Sequence, residues 1–200
     1  MVGLIPAVRL LEAAVDYGME CVEGVVPGAL TLPTPCTGWN LATLLVHLDD
    51  SVTALREAPE QGCVTPPPAE PTGSADDRSA AELVAAIRGG THALLEGWRR
   101  AADRPVAVGG WPLAGEVVAF VGAVEIAVHG WDVAVTCGGA RPIPASVARE
   151  MLRWGPLIAD DETRPQLFAP EVPVPVSAAA GDRLVAFLGR RPGALPAPLS

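Results

Sequence analysis

Three polar side chains interrupt a mainly apolar stretch in the second half of the chain. Glu125, His129 and Asp132 stand among Val, Ala, Ile and Gly residues. On a helix they fall at about 0°, 40° and −20° around the axis, so they share one narrow face. Burying a carboxylate there is costly unless it is paired or bound to metal, and a Glu and a His one turn apart can hold one ion. The pattern therefore predicts a divalent-metal site on this face.

A third ligand has to come from another segment, because a catalytic zinc site needs about three protein ligands and an open position. The best candidate is His47, on a helix predicted from Asn40 to about Ala58. His47 lies about 120° from the middle of the leucine stripe, so it flanks the core and leaves access for water. Two imidazoles and a carboxylate suit zinc, and they also accept nickel or iron. Asp132 is then predicted to orient the ring of His129.

A second interpretation of the same residues involves no metal. Glu125 and His129 can form a hydrogen-bonded pair at i and i+4, and His47 can be an ordinary surface residue. An E-x-x-x-H pattern has low specificity, so spacing alone leaves both interpretations open.

Other residues carry weaker signals. Cys36 lies in the loop before the second helix and could be reactive, although an inert thiol is the expectation. Trp39 is expected to pack rather than bind a ligand. Three arginines could meet an anionic substrate, and nothing in the sequence selects among them: Arg56, Arg141 and Arg153.

The elements that must position these residues are predicted to be helices, because apolar residues recur at helical spacing between groups of Pro and Gly. The predicted helices span about residues 5–25, 40–58, 76–102, 112–137 and 144–159, with a short last helix at about 181–189. Residues 59–75 are expected to form a mobile loop, 103–110 a connector with a brief extended stretch, and 160–180 a Pro-rich extended segment. Four long helices with modest loops predict an all-α, four-helix bundle.

Composition narrows the function classes. The chain has 200 residues, half of them apolar, which suits one domain with a sizeable core. Its net charge is −9 and all 14 basic residues are Arg, so neither nucleic acid nor an anionic membrane surface is an expected partner. No CxxC motif, signal peptide or apolar span of about 18 residues is visible, which predicts a cytoplasmic protein with reduced thiols. A homodimer is the commonest assembly and stays open here.

Several spaced motifs resemble those of one family. They are TPCTGWN at 34–40 followed by LLVHL at 44–48, EIAVHGWD at 125–132, and a tail with APEVPVP at 169–175 and RLVAFLGR at 183–190. In this order they resemble the mycothiol-dependent maleylpyruvate isomerase N-terminal family, part of the DinB/YfiT-like metalloenzymes, and the tail is similar to that of an actinobacterial subgroup.

The resemblance implies a DinB-like four-helix bundle with a short Pro-rich C-terminal extension and a final helix. Residues 1–160 would form the metal-binding bundle, and residues 161–200 would pack on the same domain. His47, Glu125 and His129 match the metal-ligand positions of the family, and the metal would usually be zinc.

The resemblance also implies a thiol cofactor, mycothiol, which adds to a small-molecule substrate. The full isomerase carries a separate C-terminal domain, whereas this chain ends after a short tail, so we expect the broader class of thiol-dependent transferase, isomerase or hydrolase. The alternative is a non-catalytic, metal-stabilised bundle that acts as an interaction or dimerisation module.

Overall fold

Helices dominate the computed structural model, which describes residues 7–64, 78–101, 103–139, 141–159, 164 and 168–193. The all-α prediction is therefore confirmed, with the addition of a small sheet. The α-helices within these residues are α1 (Ala7–Val22), α2 (Leu41–Gln61), α3 (Ala80–Ala101), α4 (Gly115–Thr136), α5 (Ala145–Trp154) and α6 (Ala180–Phe187).

The sheet was not predicted. Its strands are β1 (Cys63–Val64), β2 (Val106–Val108) and β3 (Trp111–Leu113), with β1 parallel to β2 and β2 antiparallel to β3. Gly109 and Gly110 join β2 to β3 with φ angles of 57° and 88°, the geometry of a two-residue hairpin turn. Pro112 therefore lies in β3 opposite Ala107, and its predicted place in the first turn of the fourth helix is wrong.

Some helix boundaries differ from the prediction for identifiable reasons. Helix α2 runs three residues past Ala58, through Pro59, and ends where Gly62 adopts a left-handed φ of 70°. Helix α3 begins after Ser79 with a capping box. The Ser79 hydroxyl accepts a hydrogen bond from the Glu82 N–H, and the Glu82 carboxylate accepts one from the Ser79 N–H. The remainder of the predicted loop, residues 65–75, lies outside the described residues.

The loop before α2 is held in a defined shape. Asn40 caps the helix, since its side-chain oxygen accepts a hydrogen bond of 2.9 Å from the Thr43 N–H. The Thr34 hydroxyl donates to the Trp39 carbonyl at 3.0 Å and accepts from the Cys36 N–H at 3.1 Å. These bonds fix Cys36 and Trp39 beside α4.

Helices α1 and α4 cross with almost no space between their backbones. A Cβ atom added to Gly130 would lie 2.9 Å from the Cα of Gly18, and one added to Gly18 would lie 2.8 Å from the Cγ2 of Ile126. Only glycine fits at this crossing. The close approach sets the position of α4 in the core.

The C-terminal segment packs on the helical core. Leu184, Val185 and Leu188 are buried in the same apolar cluster as the residues of α1 to α5. Helix α6 ends in a Schellman motif, in which the Gly189 N–H donates to Ala186 at 3.0 Å and the Arg190 N–H donates to the Val185 carbonyl at 2.8 Å. With its φ of 85°, Gly189 reverses the chain and directs Arg190 towards α4.

Helix α4 is long and apolar enough to cross a membrane by length and composition, with a mean hydropathy of 1.5 over its most apolar 18 residues. However, 83% of that window is buried inside the fold. The central helix of a helical core has the same properties, and the packing of α4 against α1 and α2 accounts for its apolar sequence.

Candidate metal centre

The three predicted ligands come together between α2 and α4. The Nε2 atom of His47 lies 2.7 Å from Oε1 of Glu125, and Nε2 of His129 lies 3.3 Å from the same oxygen. One possible ligand atom from each residue lies within 4.8 Å of the other two. Atoms that bind one tetrahedral zinc at about 2.0–2.1 Å lie about 3.3 Å apart, so this donor set fits a zinc ion with little rearrangement.

The surroundings leave one side of the group open. The side chain of Glu125 is 32% exposed, while those of His47 and His129 are mostly covered. Trp39 covers both imidazoles, with its ring centroid 4.9 Å from that of His47 and 6.4 Å from that of His129. Trp39 packs, as expected, and the residues that it packs against are the two imidazoles of the site.

Ser51 is a site residue that the sequence analysis missed. It stands one helical turn after His47 on α2, and its hydroxyl donates a 3.0 Å hydrogen bond to Oε1 of Glu125. The signal was present in the i, i+4 spacing of Ser51 from His47. Together, Ser51 and His47 hold one oxygen of Glu125 in place.

Asp132 lies on the opposite side of His129. Its Oδ2 atom is 3.0 Å from Nδ1 of His129, and the Asp132 side chain is 0% exposed. The two nitrogens of the His129 ring therefore face two different carboxylates, Glu125 through Nε2 and Asp132 through Nδ1.

Arg190 and Cys36 complete the polar cluster around Asp132. The Nη2 atom of Arg190 donates to Oδ2 of Asp132 at 2.9 Å, and its Nε atom donates to Oδ1 at 3.4 Å. The Cys36 thiol donates to Oδ2 at 3.3 Å and lies 3.8 Å from Nδ1 of His129. Cys36 thus adjoins the site, a contact that the sequence analysis did not predict.

The arginines singled out from sequence make other contacts. Arg56 pairs with its neighbour Glu57 at 3.4 Å, and Arg141 pairs with Glu20 at 2.9 Å. Arg153 is exposed on α5. Arg190 reaches the site instead; it ends the RLVAFLGR motif, but the sequence analysis did not assign it to the site.

The charges within the cluster support one another. Burial alone would raise the pKa of Glu125, but His129 and His47 outweigh it and lower that pKa well below its usual value. Burial alone would lower the pKa of His129, but Glu125 and Asp132 raise it well above its usual value. A cation that binds both groups would replace the imidazole proton, as metal binding to histidine releases protons.

The ion pair of Asp132 predicts an acid-sensitive contribution to stability. Burial alone would raise the pKa of Asp132, but Arg190 and His129 lower it from 3.8 to about 2. Because the folded pKa is the lower one, the stabilisation is present above about pH 4 and is lost as the pH falls towards 2, a change of about 2 kcal/mol. We expect Asp132→Asn to remove this pH dependence.

Urea unfolding of the metal-free protein at pH values from 2 to 6 measures the effect. The difference in unfolding free energy between the wild type and Asp132→Asn should narrow on acidification. Asp103→Asn, a change at an exposed aspartate, is the control and should follow the wild type. A constant difference between the wild type and Asp132→Asn over this range would contradict the assignment.

A family model, the mycothiol maleylpyruvate isomerase N-terminal domain, matches residues 11–134 of the chain. This range includes His47, Glu125, His129 and Asp132, and it ends well before Arg190. Two uncharacterised proteins of Mycobacterium tuberculosis, from strains CDC 1551 / Oshkosh and ATCC 25618 / H37Rv, are each 27% identical over 188 residues. The alignments cover 90% of this chain and 94% of theirs.

Two solved structures share the fold. They are crystal structures of the mycothiol-dependent maleylpyruvate isomerase and of a mutant of it, at 13% and 14% sequence identity and a TM-score of 0.57. The match covers 72% of this chain and 66% of the isomerase chain. This likeness confirms the predicted DinB-like helical fold.

Proposed function

The chain belongs to the mycothiol maleylpyruvate isomerase N-terminal domain family, and from this premise we propose that it is a zinc-dependent enzyme that uses a thiol to act on a small molecule. His47, Glu125 and His129 would hold the metal, with nickel as an alternative ion. The reaction class is transfer, isomerisation or hydrolysis assisted by mycothiol.

One observation carries the proposal. Two imidazole nitrogens and a carboxylate oxygen, contributed by two separate helices, lie within bonding reach of one ion. Three protein ligands beside a partly exposed carboxylate leave room for a further ligand, as catalytic zinc sites require and structural sites do not.

The roles of the protein groups follow from their contacts. A bound zinc would stabilise a thiolate and so provide a nucleophile near neutral pH. Ser51 and His47 hold Glu125, Asp132 holds Nδ1 of His129, and Trp39 shields both imidazoles from water. A small molecule would approach from the exposed side of Glu125.

The remaining features of the proposal concern the whole chain. We propose that residues 161–200 act with residues 1–160 as one domain, because the described part of α6 packs into the common core. With a net charge of −9, the partners would be a thiol and a small molecule rather than nucleic acid or a membrane. A cytoplasmic location and a homodimer belong to the same proposal.

Elemental analysis of the protein as purified, followed by a thiol titration, tests the proposal. We expect about one zinc per chain, and mycothiol should bind the zinc-loaded protein with release of a proton. S-methyl mycothiol, which has no ionisable thiol, is the matched control and should bind without proton release. A protein that takes up no divalent metal at micromolar concentration would refute the metal centre.

A non-catalytic role is the second candidate, and the surface near the start of α4 favours it. Trp111 is 77% exposed, and Leu113, Val117 and Val121 are exposed apolar residues in the same part of the chain. In that case, zinc removal would lower the unfolding temperature, and the zinc-loaded protein would still show no thiol-dependent binding or turnover.

A further inference from the structure

Arg190 enters the site from outside the segment that matches the family model. That match ends at residue 134, and the Schellman motif at Gly189 aims Arg190 back towards α4. A Cβ atom on Gly189 would lie 2.6 Å from Cβ of Ala169, so the chain can turn so closely only at a glycine. The path of this segment is therefore defined up to the guanidinium.

The guanidinium is mostly covered, and each of its three nitrogens donates a hydrogen bond at this end of the site. It donates to both oxygens of Asp132 and, through Nη1, to the Leu188 carbonyl at 3.1 Å. A two-pronged arginine–carboxylate contact fixes the orientation of the carboxylate plane as well as its position. Asp132 in turn holds Nδ1 of His129.

We propose that Arg190 is a positioning residue for the metal centre, acting through Asp132 to keep Nε2 of His129 directed at Glu125. The inference rests on the proposed zinc site. An imidazole has two nitrogens, and the partner of one decides which is left to bind metal. With Asp132 clamped, Nδ1 carries the proton and Nε2 presents its lone pair.

Arg190 also favours one of two possible sets of metal ligands over the other. Cys36, His129 and Asp132 form a second set with ligand atoms within 4.8 Å of one another. The Nη2 atom of Arg190 lies 2.9 Å from Asp132 Oδ2 and 3.6 Å from Cys36 Sγ. A guanidinium in contact with these atoms opposes a second cation there, so the metal is left to the group that contains Glu125.

The zinc dissociation constant, measured by competition with a chelator, tests the inference. We expect Arg190→Met to weaken zinc binding by about 10-fold, the lower end of the usual range for losing the partner of a metal ligand, because Arg190 acts one contact further out, through Asp132. Arg190→Lys keeps the charge without the two-pronged contact and should lie in between. Arg191→Met changes the exposed next residue and serves as the control. Its zinc dissociation constant should stay within about twofold of the wild-type value.

A double-variant cycle separates positioning from general destabilisation. If Arg190 acts through Asp132, then Arg190→Met combined with Asp132→Asn should bind zinc no more weakly than Asp132→Asn alone. Multiplicative losses, or a lower unfolding temperature of Arg190→Met with unchanged zinc affinity, would overturn the inference.

Nitrogen-15 NMR of the imidazole rings provides a measurement that does not need metal. In the metal-free wild type, the Nδ1 signal of His129 should differ clearly from that of exposed His92, and Arg190→Met should shift it while Arg191→Met should not. Wild-type protein that binds no zinc would refute the metal centre itself. An unshifted His129 signal in Arg190→Met would refute the positioning role alone.

Discussion

Replacing His47 with alanine is expected to remove zinc from the protein. Complete zinc sites in small domains bind with about 10–16 kcal/mol, so one of three protein ligands is worth roughly 3 to 5 kcal/mol, which is more than a hundredfold in affinity. His47→Ala also leaves Oε1 of Glu125 with one imidazole neighbour in place of two. We expect no zinc to remain after gel filtration in metal-free buffer.

His92 provides a matched control for this experiment. It lies on α3 with a side chain that is 83% exposed and 3.5 Å from Glu96. His92→Ala removes the same side chain from the same fold and should retain about one zinc per chain. Equal metal content in the two variants would show that His47 is not a ligand.

Replacing Trp98 with alanine is expected to have the largest effect on stability. Trp98 is fully buried between α3 and α2, and its indole N–H donates a 2.9 Å hydrogen bond to the Leu55 carbonyl. The substitution leaves a large cavity and an unpaired carbonyl, at a cost of about 3 to 5 kcal/mol. For a chain of this size, the unfolding temperature should fall by roughly 10 °C.

Thermal unfolding in the presence of a chelator measures this loss without a contribution from bound metal. Trp111→Ala is the control, because Trp111 lies on β3 with most of its surface exposed, and it should change the unfolding free energy by less than about 0.5 kcal/mol. Similar losses of unfolding free energy in the two variants would mean that Trp98 is not fully buried between α3 and α2.

The elements and the ligand group could be predicted because both leave periodic signals. Apolar residues at helical spacing indicated each helix that carries the site. Glu125 and His129 were noticeable because polar groups in an apolar helix are costly to bury. His47 followed from its place beside the leucine stripe of α2. These arguments need only the geometry of single helices.

The contacts of Arg190 and Cys36 could not be derived in this way. Arg190 follows a short helix, and its approach to Asp132 depends on the path of a Pro-rich segment and on the turn at Gly189. Cys36 lies in a loop whose shape depends on hydrogen bonds of Thr34. The hairpin was missed because strands of two or three residues are too short to show alternation.

The ring of His129 contacts both Glu125 and Asp132. It would therefore connect metal binding beside Glu125 with the packing of the C-terminal segment, which reaches Asp132 through Arg190. Thermodynamic linkage is reciprocal. If Arg190 increases metal affinity through this ring, a bound ion stabilises the packing of residues 168–193 by the same free energy. If zinc binds as proposed, its occupancy should therefore strengthen the packing of the C-terminal segment on α4, and loosening this segment should weaken zinc binding.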